Sequence, residues 1–146
     1  NQWIWEWLRY GRVANEDVPT KRSNSAAIVC GKYLLMFGGW SEDNMSHLQA
    51  SELLHLDTMC WTHCSTMGSI EPPPRGNPTM VYHPRKHLVV LYGGWNGKER
   101  LTDLWVLNMN TWTWKQILPN DGRRDDVWPR RRTDHSAVLV GTSSGR

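Results

Sequence analysis

Residues 34–40 of this 146-residue chain read Leu-Leu-Met-Phe-Gly-Gly-Trp, and residues 89–95 read Val-Val-Leu-Tyr-Gly-Gly-Trp. In both stretches an apolar run of the kind found in β-strands ends at a glycine pair, and a tryptophan follows. The second glycines of the two pairs, Gly39 and Gly94, lie 55 positions apart. Self-similarity at such a spacing is typical of a repeat array in which each copy forms one supersecondary unit.

Two further residue types recur with nearly the same period. Tryptophans occupy one position of the repeat at Trp3, Trp61 and Trp114, and an arginine opens each round at Arg22, Arg75 and Arg132. Short apolar runs separated by turn residues lie between these anchors, and no segment shows the period of an amphipathic helix. The sequence therefore predicts an all-β chain built from repeated units.

The positions of the apolar runs predict the extent of each unit. Residues 24–64 and 77–118 each contain four strand-like segments, so each range is expected to form a complete unit. Residues 3–8 are expected to form the outer strand of a preceding unit, and residues 135–140 the inner strand of a following one. The continuous apolar runs before the glycine pairs predict strands that are buried on both faces.

Composition narrows the function classes. The longest apolar runs are far shorter than the roughly 20 residues that span a bilayer, so no membrane segment is expected. The net charge of +3 is too small to indicate a polyanionic partner by itself. Three cysteines form no framework spacing, which favours free thiols in a reducing, cytoplasmic compartment. No targeting signal is visible at the N-terminus. The chain begins with Asn1 rather than Met, so we expect that residue 1 is not the biological start.

Taken together, these motifs resemble the kelch repeat. Phe37-Gly38-Gly39 and Tyr92-Gly93-Gly94 match its glycine motif. Residues 57–61 and 110–114 match its turn-to-tryptophan motif, and residues 132–135, Arg-Thr-Asp-His, match its opening motif. Residues 22–25 and 75–78 keep the opening arginine but lack the histidine. The resemblance covers essentially the whole chain.

The resemblance implies a partial β-propeller of four-stranded antiparallel blades. The first strand of each blade would line the central axis and the tryptophan strand would lie outermost. The glycines would allow a neighbouring backbone or aromatic ring to approach closely. About two and a half blades leave an open arc, so we expect a segment of a longer propeller; the alternative is a ring completed by further subunits.

The family resemblance also implies a function. Five long polar loops, at residues 9–23, 40–51, 65–76, 95–102 and 119–132, are expected on one face, where Trp40 and Trp95 would meet a protein partner. The chain would then be a non-catalytic interaction scaffold without a cofactor and a subunit of a larger assembly. Ubiquitin-ligase, cytoskeletal and ciliary settings are all compatible. The alternative is a propeller enzyme, oxidase-like or specifier-like; stoichiometric copper or iron in the full-length protein would favour it.

One loop combines arginines with a tryptophan. Its candidate partner-binding residues are Arg123, Arg124, Trp128, Arg130 and Arg131. Arginine forks bind carboxylate or phosphate, and Arg with Trp is typical of interface hot spots. Two other interpretations stay open: a solvated loop in which Asp125 and Asp126 pair with neighbouring arginines, and a nucleic-acid contact, which lacks a second basic stretch.

Metal chemistry is not expected. Cys60 and Cys64 share a strand face but would lie about 13 Å apart, too far to bind one ion directly. Buried thiols beside a surface histidine, His63, explain this group better. An oxidase would need tyrosine and histidine ligands that converge near the axis, and His83, His87 and His135 do not form such a set in the sequence.

Overall fold

The structure, a computed structural model, describes residues 18–119 and 128–140. The described residues form ten β-strands and no helix, and hence no helix that could cross a membrane. The strands are β1 (Ala26–Cys30), β2 (Tyr33–Phe37), β3 (Trp40–Ser41), β4 (Ser46–His47), β5 (Ser51–His55), β6 (Cys60–His63), β7 (Thr79–His83), β8 (Leu88–Tyr92), β9 (Leu104–Asn108) and β10 (Thr113–Ile117). The all-β prediction is confirmed.

Eight of these strands form two antiparallel sheets of four strands each. The first sheet has the order β1-β2-β5-β6, and the second has the order β7-β8-β9-β10. Each sheet is therefore a meander, apart from the small β3–β4 hairpin that is inserted between β2 and β5. Each sheet has the four antiparallel strands of a propeller blade.

Strand register shows that the sheets are copies of each other. Trp61 pairs with Leu54 in the first sheet, and Trp114 pairs with Leu107 in the second. In the same way Phe37 pairs with Ser51, just as Tyr92 pairs with Leu104. Equivalent positions lie 55 residues apart in β2 and β8 and 53 residues apart in β5 and β9, so the strand pairing repeats with nearly the period of the glycine pairs.

The core lies between the two sheets. Leu35 and Phe37 of β2 are buried, as are Val89 and Leu91 of β8. Because side chains alternate along a strand, β2 and β8 each place their buried set on one face. The first strands of the two sheets, β1 and β7, also pack against each other. This arrangement agrees with a propeller in which first strands lie closest together.

Burial on both faces of these strands was predicted and is only half present in the described residues. Leu34 and Met36 in β2, and Val90 in β8, are half-buried. Each of these side chains points to the face of its sheet that is turned away from the other sheet. A continuous apolar run indicates that both faces of a strand can be buried. Among the described residues, a second layer covers only one face of each of these strands.

The recurring tryptophan seals the space between the sheets. Trp114 of β10 is 3% exposed, and its ring meets Phe37 of the first sheet at a centroid distance of 5.7 Å. Trp61 holds the equivalent position in β6 but is only half-buried, because it lies on the outward face of the first sheet. Trp3 lies outside the described residues, as does the predicted strand at residues 3–8.

Residues 135–140 form no strand among the described residues, and Val138, Leu139 and Val140 are exposed. A β-strand is defined by its hydrogen-bonded neighbour, and this segment pairs with no described strand. The inner strand expected at 135–140 therefore stays a prediction.

Candidate functional site: the loop face

The first glycine pair receives the backbone of the next repeat. Gly39 donates its N–H to the carbonyl oxygen of Arg75 at 2.9 Å. Gly38 and Gly39 have φ angles of 69° and 103°, which side chains disfavour. A Cβ atom on Gly38 would lie 2.4 Å from the Arg75 carbonyl oxygen. Both the conformation and the close approach therefore require glycine.

The second glycine pair repeats this contact. Gly94 donates its N–H to the carbonyl oxygen of Arg132 at 2.9 Å, and a Cβ atom on Gly93 would lie 2.6 Å from that oxygen. The loops after β2 and β8 thus meet the segments that open the next repeat. We call the surface formed by residues 18–25, 40–50, 66–76, 95–102 and 128–134 the loop face.

Side chains of the repeat arginines connect neighbouring loops of the loop face through hydrogen bonds. Arg75 has no exposed side-chain surface, and its guanidinium donates to the two carboxylate oxygens of Asp103 at 2.6 and 2.7 Å. It also donates to the carbonyl oxygens of Gly93 and Pro73, each at 3.0 Å. Such a bidentate pair fixes geometry as well as charge. Arg75 is therefore a structural hub of the loop face.

The charge of Asp103 is stabilised inside this hub. Burial alone would raise the pKa of its carboxyl, but hydrogen bonds and the charge of Arg75 outweigh burial. The indole N–H of Trp105 also donates to this carboxylate at 2.6 Å. The net effect lowers the pKa of Asp103, so the pair stays ionised at neutral pH.

In the first repeat, the arginine is paired with an acidic residue at a different position. Arg22 donates to the carbonyl oxygen of Gly38 at 3.2 Å and to the carboxylate of Glu52 at 3.2 Å. The position of Asp103 is held in this repeat by Ala50, which has no carboxylate. The carboxylate comes instead from Glu52, at the position that Trp105 holds in the second repeat.

Sequence reasoning identified the arginines but missed their acids. A signal was available, because an arginine in a recurring, packed slot needs a carboxylate partner. Asp103 directly precedes a strand and Glu52 interrupts an apolar one, so both were candidates. The residues two positions after the arginines, Asn24, Asn77 and Asp134, have φ angles of 58°, 51° and 53°. Asn and Asp tolerate this left-handed region, which explains their recurrence.

Trp40 and Trp95 occupy equivalent positions on the loop face. The backbone of Trp40 pairs with Ser23 and with His47, and the backbone of Trp95 pairs with Gly76 and with Arg100. The Trp40 ring is half-buried and meets the His47 ring edge-on at 5.0 Å. Trp95 is 37% exposed. The second repeat therefore presents more aromatic surface to solvent than the first.

His47 lies where the loops of the two repeats meet. Its ring is close to Gly76 and Gly97, at positions where a Cβ atom would lie 3.2 and 3.6 Å from ring atoms. Partial burial lowers the pKa of His47, so the ring is neutral at physiological pH. The histidine fills space between the repeats as an uncharged ring.

Trp128 of the predicted basic loop anchors that loop to the second sheet. Its indole N–H donates to the carbonyl oxygen of Thr102 at 2.8 Å, and the ring is half-buried. The hydroxyls of Tyr92 and Thr102 donate to the carbonyl oxygen of Pro129 at 2.6 and 2.8 Å. These contacts give Trp128 a structural role that the sequence did not indicate.

The arginines of this loop are divided between pairing and exposure. Arg131 forms an ion pair with Glu99, which joins the loop to the β8–β9 connection. The Arg130 side chain is exposed, and its carbonyl oxygen accepts from Arg132 at 3.0 Å. Arg123 and Arg124 lie outside the described residues, as do Asp125 and Asp126. A role of this loop in partner binding therefore stays a prediction.

The thiols and histidines form no ligand set in residues 18–119 and 128–140. No group of three or more potential metal ligands occurs there. Cys30 and Cys64 are buried, Cys60 is half-buried, and all three are free. Burial, together with the nearby carboxylates of Glu71 and Glu52, raises the pKa of Cys64 to about 12, so this thiol is protonated and unreactive. His135 is half-buried and contacts the Thr79 hydroxyl at 2.9 Å.

Repeated four-stranded sheets joined through arginine and glycine motifs define a protein of the β-propeller class. A family model described as "KLHDC2/KLHL20/DRC7 Kelch-repeats domain" matches residues 1–144. The chain belongs to the kelch-repeat family.

Relatives from three different organisms share parts of this sequence. The chain is 34% identical to "Host cell factor homolog hcf-1" of Caenorhabditis elegans, with 94% of this chain and 19% of that protein covered. It is 30% identical to "Acyl-CoA-binding domain-containing protein 5" of Arabidopsis thaliana, covering 84% and 18%. It is 32% identical to "Dynein regulatory complex subunit 7" of Chlamydomonas reinhardtii, covering 58% and 7%. The chain thus spans a fifth or less of the length of these relatives.

Proposed function

We propose that this chain is part of a non-catalytic kelch scaffold that binds a protein partner through the loop face. The supporting observation is the pair formed by Trp95 and Arg100, which are directly opposite each other on a short, exposed connection. Tryptophan and arginine are the residue types most enriched in interface hot spots. Neither side chain is used in the hydrogen bonds that hold the described fold together.

Exposed cations around Trp95 and Arg100 are also available to bind a partner. Lys98, Arg100 and Arg130 are exposed, and none of them forms an ion pair with another described residue. The turns at the other end of the sheets are short and are occupied by local hydrogen bonds, such as those that the backbone N–H groups of residues 110 and 111 donate to the side-chain oxygen of Asn108. The loop face is therefore the better surface for recognition.

Two further features of the proposal have their own support. One relative is named as a subunit of a dynein regulatory complex, which supports membership of a larger assembly and a cytoskeletal or ciliary setting. Three free thiols support a reducing, cytoplasmic location. The partner itself is a protein, since the surface combines an exposed ring with cations rather than a continuous basic groove.

Replacing both Trp95 and Arg100 with alanine in the full-length protein is expected to reduce recovery of its native partner by about tenfold or more. The physical reason is that truncated hot-spot residues each cost about 2 kcal/mol or more of binding free energy. The measurement is quantitative co-purification from the native cells, with thermal melting as a check on folding.

The control replaces Arg85 and Lys86, which are exposed in the turn between β7 and β8, with alanine. These residues lie at the opposite end of the sheet, so partner recovery should stay at the wild-type level. Equal loss of recovery in both variants, or wild-type recovery with the Trp95 and Arg100 variant, would contradict the proposal.

A further inference from the structure

A cleft of about 320 Å³ opens on the loop face of the first repeat. Its lining residues are Lys21, Arg22, Ser23, Trp40, Glu42 and Asp43. The volume is at the small end of the range of about 300–1,000 Å³ found for ligand pockets. A cleft of this size suits one or two side chains of a partner rather than a whole cofactor.

The charges in the cleft are not balanced. The guanidinium of Arg22 is occupied by Glu52 and by the carbonyl oxygens of Gly38 and Thr20, so it offers no free charge. Glu42 and Asp43 are exposed and form no ion pair with a described residue. Lys21, the remaining cation of the lining, forms none either. Two carboxylates against one ammonium group give the open part of the cleft a negative balance.

Trp40 supplies a fixed aromatic wall. Its backbone is hydrogen-bonded to Ser23 in both directions, at 2.9 and 2.8 Å, and its ring is braced by His47. The turn that carries the carboxylates is fixed as well. Asn44 donates its N–H to the hydroxyl of the buried Ser41, and Met45 donates its N–H to the carbonyl oxygen of Glu42. The cleft is therefore formed before any partner binds.

An aromatic face beside two carboxylates is complementary to an organic cation. A guanidinium or ammonium group is attracted to the face of an indole, and each carboxylate accepts charge-assisted hydrogen bonds from it. We propose that the cleft binds a lysine or arginine side chain of the protein partner, with Trp40 as the wall and Glu42 and Asp43 as the acceptors. This inference rests on the proposed function, since it names the chemistry that one part of the loop face recognises.

The test is a selection of peptides from a random displayed library on the immobilised full-length protein. Peptides are selected in parallel on the wild type and on a variant that carries Glu42→Gln and Asp43→Asn. Wild-type selections are expected to enrich lysine or arginine at one position, and the variant is expected to lose that enrichment. The side chains of residues 42 and 43 make no hydrogen bond with a described residue, so the variant should melt at the wild-type temperature.

A synthetic copy of one enriched peptide then gives the quantitative result by fluorescence polarisation. We expect Kd to rise about tenfold or more when the peptide lysine is replaced with norleucine, when Glu42 and Asp43 are neutralised, or when Trp40 is replaced with leucine. Norleucine keeps the apolar stem and removes the charge, so it isolates the cation. Added salt should also weaken binding, because the contact is between charges.

The other outcomes distinguish a failure of this inference from a failure of the proposed function. Enrichment of aspartate or glutamate that depends on Lys21 would overturn the inference in favour of an acidic ligand. Binders that are lost with the Trp95 and Arg100 variant but not with the Glu42 and Asp43 variant would overturn it while leaving the proposed function intact. Binders that are insensitive to all of these variants would count against both.

Discussion

Replacing Arg75 with methionine is expected to lower the free energy of unfolding of the full-length protein by about 3–5 kcal/mol. Methionine keeps much of the side-chain volume but leaves the Asp103 carboxylate in the interior without its cation. The carbonyl oxygen of Gly93 also loses a donor. Removing one partner of a buried ion pair costs more than the pair itself contributes, because an uncompensated charge remains. The measurement is equilibrium denaturation followed by tryptophan fluorescence.

The Arg22→Met variant is the matched control for this prediction. Arg22 holds the same position in the first repeat, but its bonds to Gly38 and Glu52 are 3.2 Å long and single rather than bidentate. We therefore expect a smaller loss of stability. A double variant, Arg75→Met with Asp103→Leu, should recover part of the loss because no charge is left unpaired. A full loss that persists in the double variant would show that the ion pair is not the cause.

Replacing Gly38 with alanine is expected to cost about 2–5 kcal/mol of unfolding free energy. A left-handed backbone costs a non-glycine residue roughly 1–2 kcal/mol, and overpacking adds about 1–3 kcal/mol. Here the added Cβ would lie 2.4 Å from the carbonyl oxygen of Arg75, and a backbone atom cannot move aside as a flexible side chain can. The same denaturation measurement gives the result.

Gly31 provides a control that separates the cost of the left-handed backbone from the cost of overpacking. It has a φ angle of 62°, close to the 69° of Gly38, but no atom lies within 4 Å of a Cβ added there. Gly31→Ala should therefore cost only the backbone strain, roughly 1–2 kcal/mol. Equal losses at Gly31 and Gly38 would show that the close approach of the next repeat is not what requires glycine.

Much of the fold could be predicted from the sequence because the fold is a repeat. Each copy of the glycine pair, the outer tryptophan and the opening arginine strengthened the assignment of the others. The glycines were expected to admit a neighbouring backbone, and Gly39 and Gly94 do so. Periodicity could not show that Glu52 replaces the acid of the second repeat, since a substitution that moves a charge two positions along a strand breaks the repeat pattern.

The candidate site was harder to predict than the fold. Trp128 lies among arginines, a combination typical of interface hot spots, but its indole N–H donates to the carbonyl oxygen of Thr102. Composition cannot tell a ring that anchors a loop from a ring that meets a partner, since both are flanked by polar residues. The cleft beside Trp40 had no signal of its own, because Lys21 and Asp43 come together only after the first repeat has closed.

Site-specific photo-crosslinking of the full-length protein in its native cells tests the central claim, that the loop face meets a protein partner. A benzophenone amino acid is placed at Lys98, on the loop face beside Trp95, or at Lys86, at the opposite end of the same sheet. Both lysines are exposed, so the probe is accessible to solvent at either position. We expect a discrete protein crosslink from position 98 and none above background from position 86. Crosslinking to one protein from position 86 but not from position 98 would contradict this account.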